Sequence, residues 1–354
     1  MCYNSSMPKS PTFDIITLGS ITLDTFVKPT ETHITHCRET NVDKFWYEVG
    51  EKVRIKTVAK HVGGGSANSS VGFARMGLKV AAYGTIGFDT HGEFVLHQLE
   101  KNNVDTAKIK IQKNYPTSYS VIFMFEDGRR TVFNEKVHPL KFSPIVSTRA
   151  IYAGHVAEEE AGIFDDIIDW KTKHPDGLFA WNPGKTQFSK GIKEFANVLQ
   201  KTDLLILNVE EAELFVGVQV PRMPRTQFPG KTLHPKIGCS ASISDCTELA
   251  YEILSFGVKH LVITDGQHGA QYFSQDKSVF VPMLSCEEPV STLGAGDSFA
   301  VGAVTALLEN GPDVAENMLM YGSLNASSVV MNFGAQNGLL TRKELGKRYG
   351  KFGR

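Results

Sequence analysis

The apolar residues of this chain fall into short buried-looking runs separated by amphipathic stretches, and the two kinds alternate along most of its length. "FDIITLGS" reads as a buried strand ending at Gly19. From about 25 to 60 the pattern turns polar, with period-2 alternation in "KVRIKTVA", which predicts extended structure with one solvated face. "GGGSANSSVGFARMGLKVAAYGTIG" then predicts a glycine loop, a helix in which Val71, Ala74 and Arg75 step towards Gly77, and a strand over Val80–Tyr83. A further helix, about His91–Asn102, leads into "AKIKIQ". "TSYSVIFMF" and "RRTVFN" are β-rich runs either side of Asp127–Gly128, a hairpin signal. From 150 onward helices alternate with "AIYAG", "GLFAWNPG", "DLLILNVEEAELF" and "HLVITDGQHGA", which implies a mostly parallel sheet covered by helices. The two β-rich patches, 25–60 and 115–135, fit as one small sheet added to that α/β body. The Pro/Gly/Ser-rich insert 221–242 reads as a surface loop.

One run departs from simple amphipathicity. In "STLGAGDSFAVGAVTALLENG" (291–311), Phe299, Ala303, Ala306 and Leu307 have helical spacing, yet the helix is entered through Gly294-Ala295-Gly296. Glycine costs roughly 1 kcal/mol against alanine in a helix, so it calls for a reason. The first N–H groups of a helix lack internal partners and carry the positive end of its dipole. Bare backbone there lets a phosphate approach closely. Asp297 follows in the first turn, where it is either a dipole-stabilised carboxylate or a base beside an anion.

Composition narrows the classes. The chain has 354 residues, 42% of them hydrophobic, and a formal net charge of −1, which excludes a basic nucleic-acid footprint and a disordered acidic tail. An anionic ligand must therefore be held by local geometry. The five cysteines are scattered without a CxxC pair, so free thiols in a reducing compartment are expected. There is no signal-peptide pattern and no stretch of about 20 apolar residues, so the expectation is a cytoplasmic protein with no membrane partner.

Several apparent motifs dissolve on inspection. "GKT" occurs at Gly184–Thr186 and Gly230–Thr232, but a P-loop needs a glycine where Phe179 and Arg225 stand. No G-x-G-x-x-G follows the first strand, which weighs against a dinucleotide-binding reading. His33, His36 and Cys37 have no second pair at metal-site spacing and read as surface residues.

"TLGAGDSFAVG" is similar to the C-terminal signature of the ribokinase (PfkB) family of sugar and nucleoside kinases, and "GGGSANSSVGFARMG" (63–77) resembles its N-terminal signature. Between and around them, in the family's order, lie "GS-x3-D" at Gly19–Asp24, "GTIGFDTHG" at 84–92, Asn208–Glu211 as N-x-x-E, "TDGQHGA" at 264–270, and Asn325. The resemblance spans roughly residues 13 to 340. It implies a three-layer α/β/α ribokinase-like fold over the whole chain, with the two β-rich patches forming a small lid that also mediates dimers. Carried over residue by residue, it makes Asp297 the general base and Gly294, Ala295 and Gly296 the anion hole. Asp24, Gly64, Gly65 and Asn68 would hold the substrate. Asn208, Thr264, Gly266 and Asn325 would serve the nucleotide, and Glu211 would hold Mg2+ through water.

The resemblance thus implies an ATP- and magnesium-dependent phosphotransferase acting on the primary alcohol of a sugar. A nucleoside kinase is the alternative within the class. The aromatics Phe26, Phe45, Trp46 and Tyr119 read as packing of the lid in preference to a stacking platform for a base. Family members commonly have aspartate at the position of Ser291, so potassium activation is weakened; ribokinases commonly have lysine at that of Gly65, so ribose is too. A non-catalytic sugar-binding regulator and a nicotinamide-dependent dehydrogenase are the readings from other classes. Loss of turnover in Asp297→Asn and the absence of NAD(H) binding discriminate against them.

Overall fold

The computed structural model describes residues 12–39, 42–125, 130–135, 144–157, 162–309 and 314–352. The N-terminal leader with Cys2, and the hairpin turn at Asp127–Gly128, lie outside them.

The chain opens with β1 (Phe13–Leu18), then β2 (Thr22–Pro29), β3 (His33–Cys37), β4 (Val42–Trp46) and β5 (Ile55–Gly63) ahead of α1 (Gly65–Arg75). Next come β6 (Val80–Tyr83), β7 (Thr85–Gly87), α2 (Thr90–Lys101), β8 (Val104–Asp105), β9 (Lys110–Gln112), β10 (Tyr119–Met124) and β11 (Arg130–Glu135). The alternating part holds β12 (Thr148–Ala153), α3 (Ile163–Lys173), β13 (Leu178–Trp181), α4 (Lys185–Lys190), α5 (Ala196–Leu199), β14 (Leu204–Asn208) and α6 (Val209–Val216). After these come β15 (Arg222–Pro224), β16 (Lys231–Thr232), β17 (Ser242–Ser244), α7 (Thr247–Ser255), β18 (His260–Thr264), β19 (Ala270–Phe273) and β20 (Ser278–Val281). The last elements are α8 (Ala295–Glu309), α9 (Val314–Val330) and α10 (Arg342–Tyr349).

Ten strands form the main sheet in the order β16-β20-β19-β18-β14-β13-β12-β1-β6-β8. It is parallel except where β19 pairs antiparallel with β18 and β20. Alternation along each strand divides the core. Ile16, Leu18, Ile151, Phe179, Leu205 and Leu207 pack with α3 to α7 on one face. Ile15, Ala150, Ala180, Leu204 and Ile206 pack with α1, α8, α9 and α10 on the other. A sheet buried on both faces demands the unbroken apolar runs seen in the sequence. The result is a three-layer α/β/α body.

A four-stranded sheet, β11-β10-β2-β5, joins residues of both β-rich patches. Asp24 sits in its middle, directly opposite His61 on β5 and Ser120 on β10. The insert 221–242 is more than a surface loop. Its β15 pairs with β17, and β16 extends the main sheet beside β20. Cys239 within it is disulfide-bonded to Cys286, which corrects the expectation of free thiols for that pair. Cys246 forms no disulfide and lies buried in the core.

Two helix contacts set the site. A Cβ on Gly302 of α8 would come within 2.4 Å of the Tyr321 carbonyl, so α8 and α9 touch backbone to backbone. A Cβ on Gly72 of α1 would come within 2.6 Å of the Val301 side chain. One turn earlier on these two helices stand Asn68 and Asp297. Packing at Gly72 therefore brings the two N-terminal turns together.

Candidate active site

Asp297 is the centre of the arrangement. Its Oδ2 accepts a 2.8 Å hydrogen bond from Nδ2 of Asn68. Its Oδ1 faces the start of α1, where a Cβ on Gly65 would lie 3.7 Å away. Burial pushes the Asp297 carboxyl up to about 6, and the Asn68 bond opposes that rise. A carboxylate with that value is ionised at neutral pH yet basic enough to take a proton in a transition state.

The approach to α8 is held in a conformation that suits glycine. Gly294 has φ +77°, and a Cβ there would meet the Ala335 Cβ at 2.6 Å. Ser298 N–H donates to Gly294 O at 2.9 Å and closes the first turn. A Cβ on Gly296 would find nothing within 4 Å. The helix N-terminus thus presents open backbone beside Asp297, a geometry suited to an anion.

On the other side of the glycine turn lies Asp24. A Cβ on Gly63 would sit 1.9 Å from its Oδ2, so only glycine leaves room for that carboxylate. Gly64 has φ +90° and lies against the Ser20 carbonyl. Burial raises the Asp24 pKa, while bonds from Ser120 and Thr22 and the nearby His61 lower it. Burial in turn holds His61 below the usual imidazole value. Phe333 makes an edge contact with Phe26 at 4.7 Å and lies 5.8 Å from His61, forming an aromatic wall beside Asp24. The remaining aromatics lie elsewhere. Phe45 packs near Phe123 and Phe125, Trp46 stacks on His33, and Tyr119 stacks on His91.

A cavity of about 570 Å3 opens from the N-terminus of α8. Thr264 and Gly266 line it at the tip of β18; Ala295, Gly296 and Phe299 line it from α8. Ser323, Ala326 and Val330 contribute the α9 side, and the Cys239–Cys286 pair closes a wall. Asn325 is not part of it, contrary to the position expected from the sequence. It is fully buried: its Nδ2 donates to Ser298 O at 2.7 Å, and its Oδ1 accepts from Leu340 N at 2.9 Å. Its place is a brace between α8, α9 and the segment before α10.

Asn208 and Glu211 form a capping box on α6. Glu211 N donates to Asn208 Oδ1 at 2.8 Å, and Asn208 N to Glu211 Oε2 at 2.9 Å. Burial raises the Glu211 pKa, and Asp297 is among the charges that add to the rise. Among the described residues no group of three or more His, Cys, Asp or Glu is placed to hold a metal. His36 instead pairs with Asp43 at 2.8 Å on an exposed ladder. A Mg2+ ion here would rest on Glu211 and on ligands arriving with a phosphate, the usual habit of that ion. Among the described residues no helix is long and apolar enough to cross a membrane.

Sequence reasoning missed Gln336, Phe333, His61 and Arg130. Arg130 of β11 donates to Thr292 Oγ1 at 2.9 Å, tying the small sheet to the segment entering α8. Two glycines four residues apart in "FGAQNG" are the one sequence signal for the Gln336 segment.

Taken together, a doubly wound sheet, a bare helix N-terminus and an adjacent buried carboxylate form an arrangement suited to group transfer from an anionic donor. The chain matches the pfkB family carbohydrate kinase model over residues 33–151 and 184–342. It belongs to that family, whose members are phosphotransferases. It is 26% identical over 306 residues to the ribokinase of Bacillus subtilis, covering 84% of this chain and 91% of that protein. It is 23% identical over 316 residues to the nucleoside kinase of Methanocaldococcus jannaschii, covering 88% and 92%. Among solved structures, Arabidopsis thaliana ribokinase complexed with ribose and ATP superposes with a TM-score of 0.71. That match has 20% identity and covers 96% of this chain and 98% of the other.

Proposed function

We propose that this kinase transfers the γ-phosphoryl group of ATP to a primary alcohol of a sugar, with Asp297 as general base. The observation that carries the reading is the Asp297 carboxylate, pushed up to about 6 by burial and fixed by Asn68 at the open N-terminus of α8.

In this reading Asp24 and the backbone around Gly64 and Gly65 bind the sugar hydroxyls. A carboxylate acceptor beside backbone donors suits a polyol. The cavity along Thr264 and Gly266 takes the nucleotide, and the Gly294-Ala295-Gly296 backbone neutralises charge on the transferring phosphoryl. Asp297 Oδ1 accepts the proton of the attacking hydroxyl as its oxygen bonds to phosphorus, and ADP leaves with the electron pair of the broken bond. Bound Mg2+, held near Glu211 through water, would neutralise phosphate charge. The four-stranded sheet acts as the lid, latched by Arg130 on Thr292, and keeps water from the phosphorus.

A nucleoside acceptor is the second reading, favoured by the half-buried Phe333 and His61 beside Asp24. Residue Gly65 in place of lysine, and Ser291 in place of aspartate, weigh against ribose and potassium respectively. Following ADP release from Mg-ATP with ribose, fructose, ketodeoxygluconate, adenosine and inosine separates the two classes. ATP turnover surviving in Asp297→Asn with every acceptor would refute the base assignment.

A further inference from the structure

We infer that Gln336 is a positioning residue for the transfer: it fixes which way the Asn68 amide points, and so which end of that amide meets Asp297. The inference rests on Asp297 being the base.

Gln336 lies on the segment between α9 and α10, half-buried, between Gly334 and Gly338 with their positive φ values. Its Nε2 makes two bonds, to Val62 O at 2.9 Å and to Asn68 Oδ1 at 3.1 Å. Asn68, on the first turn of α1, then donates from Nδ2 to Asp297 Oδ2 at 2.8 Å.

An amide side chain is nearly symmetric in shape, but one end only donates and the other only accepts. Its orientation must therefore be imposed by a partner of known polarity. Val62 supplies one, because a backbone carbonyl can only accept. It draws the Gln336 NH2 group to itself, and the same NH2 group then meets Asn68 by its oxygen. With its oxygen occupied, Asn68 must present its NH2 group to Asp297. The acceptor at the end of β5 and the ionised Asp297 carboxylate thus agree on the orientation of the two amides between them.

The consequence is chemical. Asp297 Oδ2 is held, so Oδ1, on the Gly65 side, is the oxygen left for a substrate proton. Among the described residues, Glu211 at the start of α6 and Tyr152 on β12 feel the Asp297 charge. Negative charge on either would favour protonation of the base. The Asn68 donor works in the opposite sense. If Asn68 turned over, its oxygen would face the carboxylate and a favourable contact would become a repulsive one.

The test uses the full chain and three replacements of one residue. Gln336→Glu offers Asn68 an acceptor and should turn its amide over. Gln336→Met keeps the length without any polarity. Gln336→Lys offers only donors and should preserve the native order. The rate of ADP formation from Mg-ATP is followed from pH 5 to 9 with ribose, fructose, adenosine and inosine as acceptors. The wild-type rate should rise through about pH 6 and level off. In Gln336→Glu that limb should move up by about one unit, giving roughly a tenfold loss at pH 6 that recovers by pH 8.5. Gln336→Met should show a smaller shift, and Gln336→Lys a limb at or below that of the wild type. KM for ATP should stay unchanged throughout, since Gln336 does not line the cavity.

A uniform loss across the pH range in Gln336→Glu and Gln336→Met alike would mean a merely structural role and overturn the inference. So would a limb raised equally by Gln336→Lys. If Gln336→Glu does not fold, the Met and Lys variants still decide the matter by the order of their limbs. If none of the four acceptors is turned over, the pH at which the Tm difference between wild type and Asp297→Asn stops growing is the readout. That pH should move up in the Gln336→Glu background, and an unmoved value would overturn the inference. Asp297→Asn also separates the two failures. Turnover retained there removes the base reading, whereas turnover lost with an unmoved Gln336→Glu profile removes this inference alone.

Discussion

Replacing Asp297 by asparagine tests activity and stability with opposite expected signs. A general base is worth roughly 10²–10⁴-fold, so kcat should fall by that factor while ATP and acceptor still bind. Stability should rise. The carboxyl is raised from 3.8 to about 6 by burial, so folding disfavours its ionised form. Between those two values the folded state holds the proton and the unfolded state has lost it, so wild-type stability falls as pH rises through that window. About two units correspond to roughly 3 kcal/mol, and partial solvent access of Asp297 reduces this to about 1–3 kcal/mol. An uncharged amide escapes the penalty. At a melting entropy of about 2 cal/mol/K per residue, each kcal/mol is worth roughly one to two degrees in a chain of this length. Asp297→Asn should therefore melt a few degrees above the wild type at pH 8, with the gap closing below about pH 4. Differential scanning calorimetry across pH, paired with steady-state kinetics, measures both halves. A constant Tm gap at every pH, or turnover within tenfold of wild type, would sink the reasoning.

Gly294→Ala combines a left-handed φ with a 2.6 Å approach to Ala335, so it should lower stability by about 1–3 kcal/mol and displace the helix entry, with kcat falling about 10²-fold. Wild-type kinetics in that variant would remove the anion-hole assignment. Asn325→Leu leaves Ser298 O and Leu340 N without their buried partner and should cost about 2–4 kcal/mol in urea unfolding. Its KM for ATP should not change, whereas a raised KM at full stability would return Asn325 to the nucleotide site. Replacing Cys239 and Cys286 together by serine opens a link across 47 residues, worth about 4 kcal/mol on a loop-entropy argument. Because the pair also walls the cavity, KM for ATP should rise several-fold; an unchanged Tm and KM, in the variant or in reductant, would contradict its role.

The body of the fold was legible because its signals are local. A strand buried on both faces must be continuously apolar, and a helix between two layers must step at its own period. Both patterns stand in the runs of β1, β6, β14 and β18 and in the fully buried face of α8. The glycine entry to α8 and the carboxylate in its first turn were legible for the same reason, being neighbours in sequence. What the sequence left open depended on distant partners. The Asn208–Glu211 spacing fits both a cap and a metal site, and the cap is what the backbone bonds display. Asn325 sits in a helix whose face towards Ser298 and Leu340 no local pattern reveals. The Cys239–Cys286 bond joins an insert to a connector that share no motif. Gln336 reaches Val62 across 274 residues, and only the packed structure brings them together.

The same long connections explain why acceptor binding and phosphoryl geometry should not vary independently. The segment after α9 touches three parts of the site: Phe333 meets Phe26 on the small sheet, Ala335 abuts Gly294, and Gln336 holds Asn68. Arg130 makes a second bridge from that sheet to Thr292. A shift of the small sheet onto an acceptor at Asp24 is therefore transmitted, through Phe26 and Arg130, to the backbone that would face the phosphate. The positions proposed as catalytic are set by contacts between layers rather than by any one loop. A ligand that orders the sheet should for that reason also order the entry to α8.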